Sequence, residues 1–207
     1  MRKFGIRTAG RSLFLCLLAL TFMALAQSRA RADTITYSTA GTFSGSGTNS
    51  VTFGSGGNTL TLTFAGLAPS TVNANPSTFA SFGTINTSVT GSGATIAPGT
   101  TLTINITQTA PTSGTGSVVG TLTGTITQDS SSGQILFTVT STNINGVVYS
   151  VVNNPLALVP PSTNNGNTTV QGQITSTVPE PATLILLGTG LSGVAAAARR
   201  RRKGARG

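Results

Sequence analysis

The chain has 207 residues, twelve basic against three acidic ones, a formal charge of +9 and no histidine. All the positive charge lies at the ends, in Arg2, Lys3, Arg7, Arg11, Arg29 and Arg31 and then in Arg199, Arg200, Arg201, Arg202, Lys203 and Arg206. A middle without lysine or arginine cannot neutralise phosphates, so the high pI belongs to the two ends and no nucleic-acid partner is expected.

Residues 1–32 read as a secretory signal peptide. Arg2, Lys3, Arg7 and Arg11 form a positive n-region, Leu13 to Ala26 an apolar stretch too short for a comfortable span, and Ala30-Arg31-Ala32 a small-residue cleavage site. Cleavage before Asp33 is the first choice, with Ala24-Leu25-Ala26 as an earlier site and a retained N-terminal anchor as the competing reading. The translocon and signal peptidase are the implied partners. Cys16, the only cysteine, has Leu15 before it where a lipobox needs a small residue. It leaves with the signal peptide, and the mature chain then has neither disulfide nor thiol nucleophile.

Residues 33–177 keep one composition: Thr, Ser, Gly and Asn alternating with Val, Ile, Leu and Phe. Leu60, Leu62 and Phe64 share one face of their segment, as do Leu102, Ile104 and Ile106, with polar residues between. Further alternating segments are 34–37, 51–53, 79–85, 118–127, 134–140, 147–152 and 169–175. β-Branched residues with period two predict half-buried antiparallel strands. Turn clusters separate them at 54–58, 91–93, 97–99, 129–133 and 164–167, rich in the glycine and asparagine that tolerate positive φ. The segment 153–167, with Pro155, Pro160 and Pro161, reads as a long loop. The fold expected is all-β, an antiparallel sandwich of roughly 7–10 short strands, with an incomplete barrel as the second choice. Low-complexity disorder is opposed by the β-branched residues and by Phe43, Phe53, Phe64, Phe79, Phe82 and Phe137. Gly-Thr-Leu-Thr-Gly-Thr-Ile-Thr at 120–127 looks locally duplicated, but no longer period supports a solenoid.

The same body is poor in chemistry. Asp33 and Asp129 are its only carboxylates, where general acid–base catalysis needs two tunable groups and glycosidases need two carboxylates about one bond. A serine nucleophile would have no His or Lys base, and zinc or iron would lack ligands. Calcium at Asp129 would rest on one carboxylate. The glycine-rich stretches carry no lysine and read as turns rather than phosphate loops. No catalytic, metal or cofactor site is therefore expected. Asn86-Thr87-Ser88, Asn105-Ile106-Thr107 and Asn167-Thr168-Thr169 match the glycosylation pattern, as chance alone would supply in so Thr-rich a chain. The chain has no Trp and only Tyr37 and Tyr149 as tyrosines. A core role with hydroxyls at the surface is expected for both.

The last thirty residues differ in kind. Val178-Pro179-Glu180-Pro181 is a polar, extended step, because each proline fixes its own φ and disfavours helix before it. Ala182 to Ala198 carries no charge, and as a helix its 17 residues would reach about 26 Å, the short end of a membrane span. Arg199, Arg200, Arg201, Arg202 and Lys203 then form a basic stop, held in the cytoplasm by the positive-inside bias.

Val178-Pro179-Glu180-Pro181, the Leu187-Gly188-Thr189-Gly190-Leu191 segment and the arginine block, in that order, resemble the PEP-CTERM sorting signal of exported Gram-negative proteins. The resemblance implies recognition by exosortase, a membrane-embedded cysteine peptidase/transpeptidase that cuts near Pro-Glu-Pro. Residues 178–207 would then be the sorting signal, with Glu180 and its flanking prolines the recognised step. An ordinary C-terminal anchor is the competing reading. The chain as a whole reads as a non-enzymatic exported protein, anchored first in the inner membrane and then passed to the cell surface or extracellular matrix, with exopolysaccharide as a partner. The alternative is a carbohydrate-binding or adhesive module, with Tyr37 or Tyr149 and several Asn on a concave face. A secreted hydrolase would need Asp33 and Asp129 together in a cleft.

Overall fold

The computed structural model describes residues 33–176, together with Gly190 and Gly193, which are helical. The expected signal helix and transmembrane helix otherwise lie outside the described residues, among which no helix is long and apolar enough to cross a membrane.

Within 33–176 the alternating pattern builds strands throughout. The first seven are β1 (Asp33–Phe43), β2 (Ser50–Ser55), β3 (Asn58–Ala65), β4 (Ser70–Ala74), β5 (Ser77–Thr90), β6 (Ala94–Thr95) and β7 (Thr101–Ala110). The rest are β8 (Gly114–Thr123), β9 (Thr125–Ile126), β10 (Gln134–Val139), β11 (Ser141–Ile144), β12 (Val147–Val151), β13 (Leu156–Ala157) and β14 (Asn167–Ser176). One six-stranded sheet has the order β13-β10-β8-β7-β1-β4, the other β11-β12-β14-β5-β3-β2, and β6 pairs with β9 in a two-stranded ribbon. Every pairing is antiparallel.

The two sheets share one core, so the architecture is a sandwich with four free edges rather than a barrel. Ile35, Tyr37 and Phe43 of β1 face inward with Leu102, Ile104 and Ile106 of β7. Opposite them lie Leu60, Leu62 and Phe64 of β3, Val170 and Ile174 of β14, and Tyr149 of β12. Inward positions held by glycine receive aromatic rings from their neighbours. A Cβ on Gly41 would strike the ring of Phe64, and one on Gly172 would strike the ring of Phe82.

Fourteen strands replace the expected 7–10. The additional ones are Ser70–Ala74, Ala94–Thr95, Ser141–Ile144 and Leu156–Ala157, too short to show a period and defined only by the strand they pair with. Leu156–Ala157 and a 3₁₀ turn, Asn164–Gly166, break up the expected loop at 153–167. The expected strand at 118–127 is divided at Gly124, whose φ of 102° ends β8 and turns the chain into β9.

Two hairpins follow from turn chemistry alone. Gly56 and Gly57 join β2 to β3, with Ser55 paired to Asn58, and Asn145 and Gly146 join β11 to β12, with Ile144 paired to Val147. All four turn residues have φ between 50° and 86°, the sign a two-residue loop needs to match the strand twist.

Candidate functional site

The side-chain surface of the sandwich follows from strand alternation, and one irregularity decides it. In β5, Ser81 pairs with Gln171 and Thr84 with Thr169, so Phe82 and Gly83 together stand opposite Val170. This is a β-bulge, and it reverses the phase of the strand. After it, Ile85 and Thr87 point inward, whereas Phe82 within it points inward and leaves Ser81 and Phe79 on the outward side. Gly83 takes up the turn with φ of 130°. Phe79 is thereby placed outside, 69% exposed, on a stretch of β5 that pairs with β14 on one side, the β3 pairing beginning only at Thr84.

Around Phe79 the outer face is mostly amide and hydroxyl, with Val152 exposed beside Gln171 and Val148 opposite Thr175. Gln173 is its direct partner on β14, and Ser150 of β12 pairs with Gln173 in turn. Gln171 lies one outward position along, opposite Ser81. The Gln173 Nε2 reaches Ser77 Oγ at 3.5 Å. Further across the same sheet, Thr52 and Thr61 share a hydrogen bond of 2.9 Å, and Ser50 and Thr63 one of 3.0 Å. In the sequence Phe79 opens the strand segment 79–85 and counts against disorder, with nothing local to show which face it takes. Gly83 was the available signal of the bulge, since glycine inside a strand often marks one.

The tyrosines are placed differently from the expectation. Tyr37 and Tyr149 are core residues, as expected, but their hydroxyls are internal rather than at the surface. Tyr37 donates to the carbonyl of Ser81 at 2.8 Å, bridging the two sheets. Tyr149 donates to Gln108 Oε1 at 2.8 Å, and Gln108 Nε2 donates to the carbonyl of Thr112 at 2.7 Å. With Phe82 the two rings form a triangle, centroids 5.7–6.3 Å apart. Burial raises the pKa of both above the ordinary 10.0, and for Tyr149 the neighbouring Tyr37 adds to it. Neither ring can serve as a ligand platform.

Asp129 is exposed in the connection between β9 and β10, while Asp33 opens β1 opposite Ala74. Among the glycosylation triplets, Asn86 has its amide nitrogen committed to Asn167 Oδ1 at 3.0 Å and to the carbonyl of Asn165 at 3.2 Å. Asn105 is exposed on β7. The signal-cleavage residues Ala30 and Ala32, the step Val178, Pro179, Glu180 and Pro181, and the basic stop Arg199, Arg200, Arg201, Arg202 and Lys203 lie outside the described residues.

Comparison with known proteins identifies that C-terminal stretch. Residues 177–202 match the PEP-CTERM protein-sorting motif, which takes in Val178 to Pro181 and the first four arginines. The motif implies an exported precursor processed by an exosortase. The β-rich body matches no other family, and neither a curated protein nor a solved structure matches the chain.

Proposed function

We propose that this chain is a non-enzymatic surface or matrix protein, exported through residues 1–32 and released or transferred by exosortase at the C-terminal signal. The observation that carries the reading is the sorting motif at 177–202 immediately behind a self-contained β-sandwich. In this reading Ala182 to Ala198 holds the precursor in the inner membrane, and Arg199 to Lys203 stop its translocation. Pro179-Glu180-Pro181 is the step presented to the peptidase, and the body from Asp33 onward is the delivered unit. A body with Asp33 and Asp129 as its only charged side chains, and with rows of hydroxyls on its sheets, suits a hydrated exopolysaccharide layer.

Mass spectrometry of the mature protein from its native host, with and without exosortase, tests this. A C-terminus near Pro179–Ala182 only when exosortase is present supports the route. A tail ending at Gly207 in both strains would make it a plain anchor.

The second reading, a carbohydrate-binding or adhesive module, loses Tyr37 and Tyr149 as its platform. It is favoured instead by the exposed ring of Phe79 among glutamines.

A further inference from the structure

We infer that the outer face of the β11-β12-β14-β5-β3-β2 sheet binds a neutral polysaccharide, with Phe79 as the stacking ring and Gln171 and Gln173 as the hydrogen-bonding groups beside it. The inference deepens the second reading by naming its site and ligand class, and draws on the first only for where the ligand is met.

Three observations carry it. First, Phe79 is the only aromatic side chain exposed among the described residues, and it is 69% exposed on the outer face of β5 beside β14. Leaving so much apolar ring in water forgoes burial that would stabilise the fold, and the bulge at Phe82-Gly83 places it there. Second, its neighbours are of the kind that sugar hydroxyls need. Gln173 and Gln171 each present a carbonyl and an amide, and Ser77 and Ser150 add hydroxyls that donate or accept. Third, the face carries no charge: between Thr34 and Ser176 the only charged side chain is Asp129, in the β9–β10 connection. A charged glycan would find no counter-ion here, whereas a neutral one needs none.

A second copy of this chain suits the face less well. Homodimer interfaces are about 65% apolar, and Phe79, Val148 and Val152 among glutamine, serine and threonine fall short of that. An aromatic ring with flanking amides instead offers the apolar surface and the few placed polar groups by which ligand sites orient what they bind.

The test uses the full-length chain in mild detergent. It is depleted from solution by cellulose and by curdlan, two insoluble neutral glucans, with soluble cello-oligosaccharide as competitor. The expected result is saturable binding to at least one glucan, weakened about tenfold or more in Phe79→Ala and retained in Phe79→Trp. Gln173→Ala should weaken it as well, and Asn105→Ala, exposed on β7 of the other sheet, should not. Because Phe79 and Gln173 are at the surface, unchanged thermal unfolding will show that these variants are folded. Equal binding by Phe79→Ala, or no binding of the natural protein to either glucan, overturns the inference. So does Phe79-dependent dimerisation without glycan in the ultracentrifuge. None of these outcomes depends on exosortase, so they leave the sorting experiment standing.

Discussion

Tyr149 of one sheet donates its hydroxyl hydrogen to Gln108 Oε1 of the other at 2.8 Å, both side chains being wholly buried. This bond, the one from Tyr37 to the Ser81 carbonyl and the one from the Thr39 hydroxyl to the Phe82 carbonyl link two sheets that meet mainly through apolar contact. Removing the Tyr149 hydroxyl leaves the Gln108 carbonyl oxygen without a donor. Tyr149→Phe should therefore destabilise the body by about 1–3 kcal/mol, the cost of an unsatisfied buried acceptor. Urea unfolding of the single variants and of Tyr149→Phe with Gln108→Met will show coupling between the two sites if the bond is the cause.

Alkaline pH should unfold this protein before acid does. Tyr37 and Tyr149 both have their pKa raised in the folded state, so above pH 10 the unfolded chain releases protons that the folded chain keeps. Folded stability is then lost as pH rises through this range. The chain has no histidine, so no side chain with an ordinary pKa titrates from pH 6 to 8. The urea midpoint should hold level between about pH 6 and 9 and fall above about 10. Tyr37→Phe with Tyr149→Phe should flatten that fall.

Gly172 is an inward position of β14 on which the ring of Phe82 rests. A methyl group there has nowhere to go without moving the ring. Gly172→Ala should cost about 1–3 kcal/mol by overpacking. Phe82→Leu, destabilising alone, should relieve part of that cost when combined with it. A double-mutant cycle by thermal unfolding will measure the relief, and simple additivity would show that the ring is not the obstacle.

Thr87 offers the opposite case. Its side chain is 2% exposed on β5, and its hydroxyl has no hydrogen-bond partner among the described residues. Thr87→Val keeps the branched shape that strands favour and removes the stranded polar atom, so a gain of about 1 kcal/mol is expected. A lower unfolding midpoint in that variant would mean that the hydroxyl is satisfied in solution.

The sequence by itself determined that the body is all-β, which segments form its long strands and most of its core. Alternation is a local property, and Leu60, Leu62 and Phe64, or Leu102, Ile104 and Ile106, declare their face within a few residues. It also held the two-residue turns, because positive φ is a demand on residue type, although the Asn145-Gly146 hairpin was not read from it. The C-terminal sorting motif was legible for the same reason, as an ordered string of local features later matched at 177–202.

Tertiary structure alone decided the rest. Short strands such as Leu156–Ala157 exist only because β10 accepts their hydrogen bonds, which no local pattern encodes. The tyrosine hydroxyls are internal because Gln108 and the Ser81 carbonyl, distant in sequence, arrive opposite them across the core. Phe79 is the sharpest example. Strict alternation would place it on the same face as Ile85, yet one extra residue opposite Val170 sends Ile85 inward and Phe79 to solvent. A bulge is a relation between two strands, so the face that Phe79 occupies was fixed only when β5 met β14.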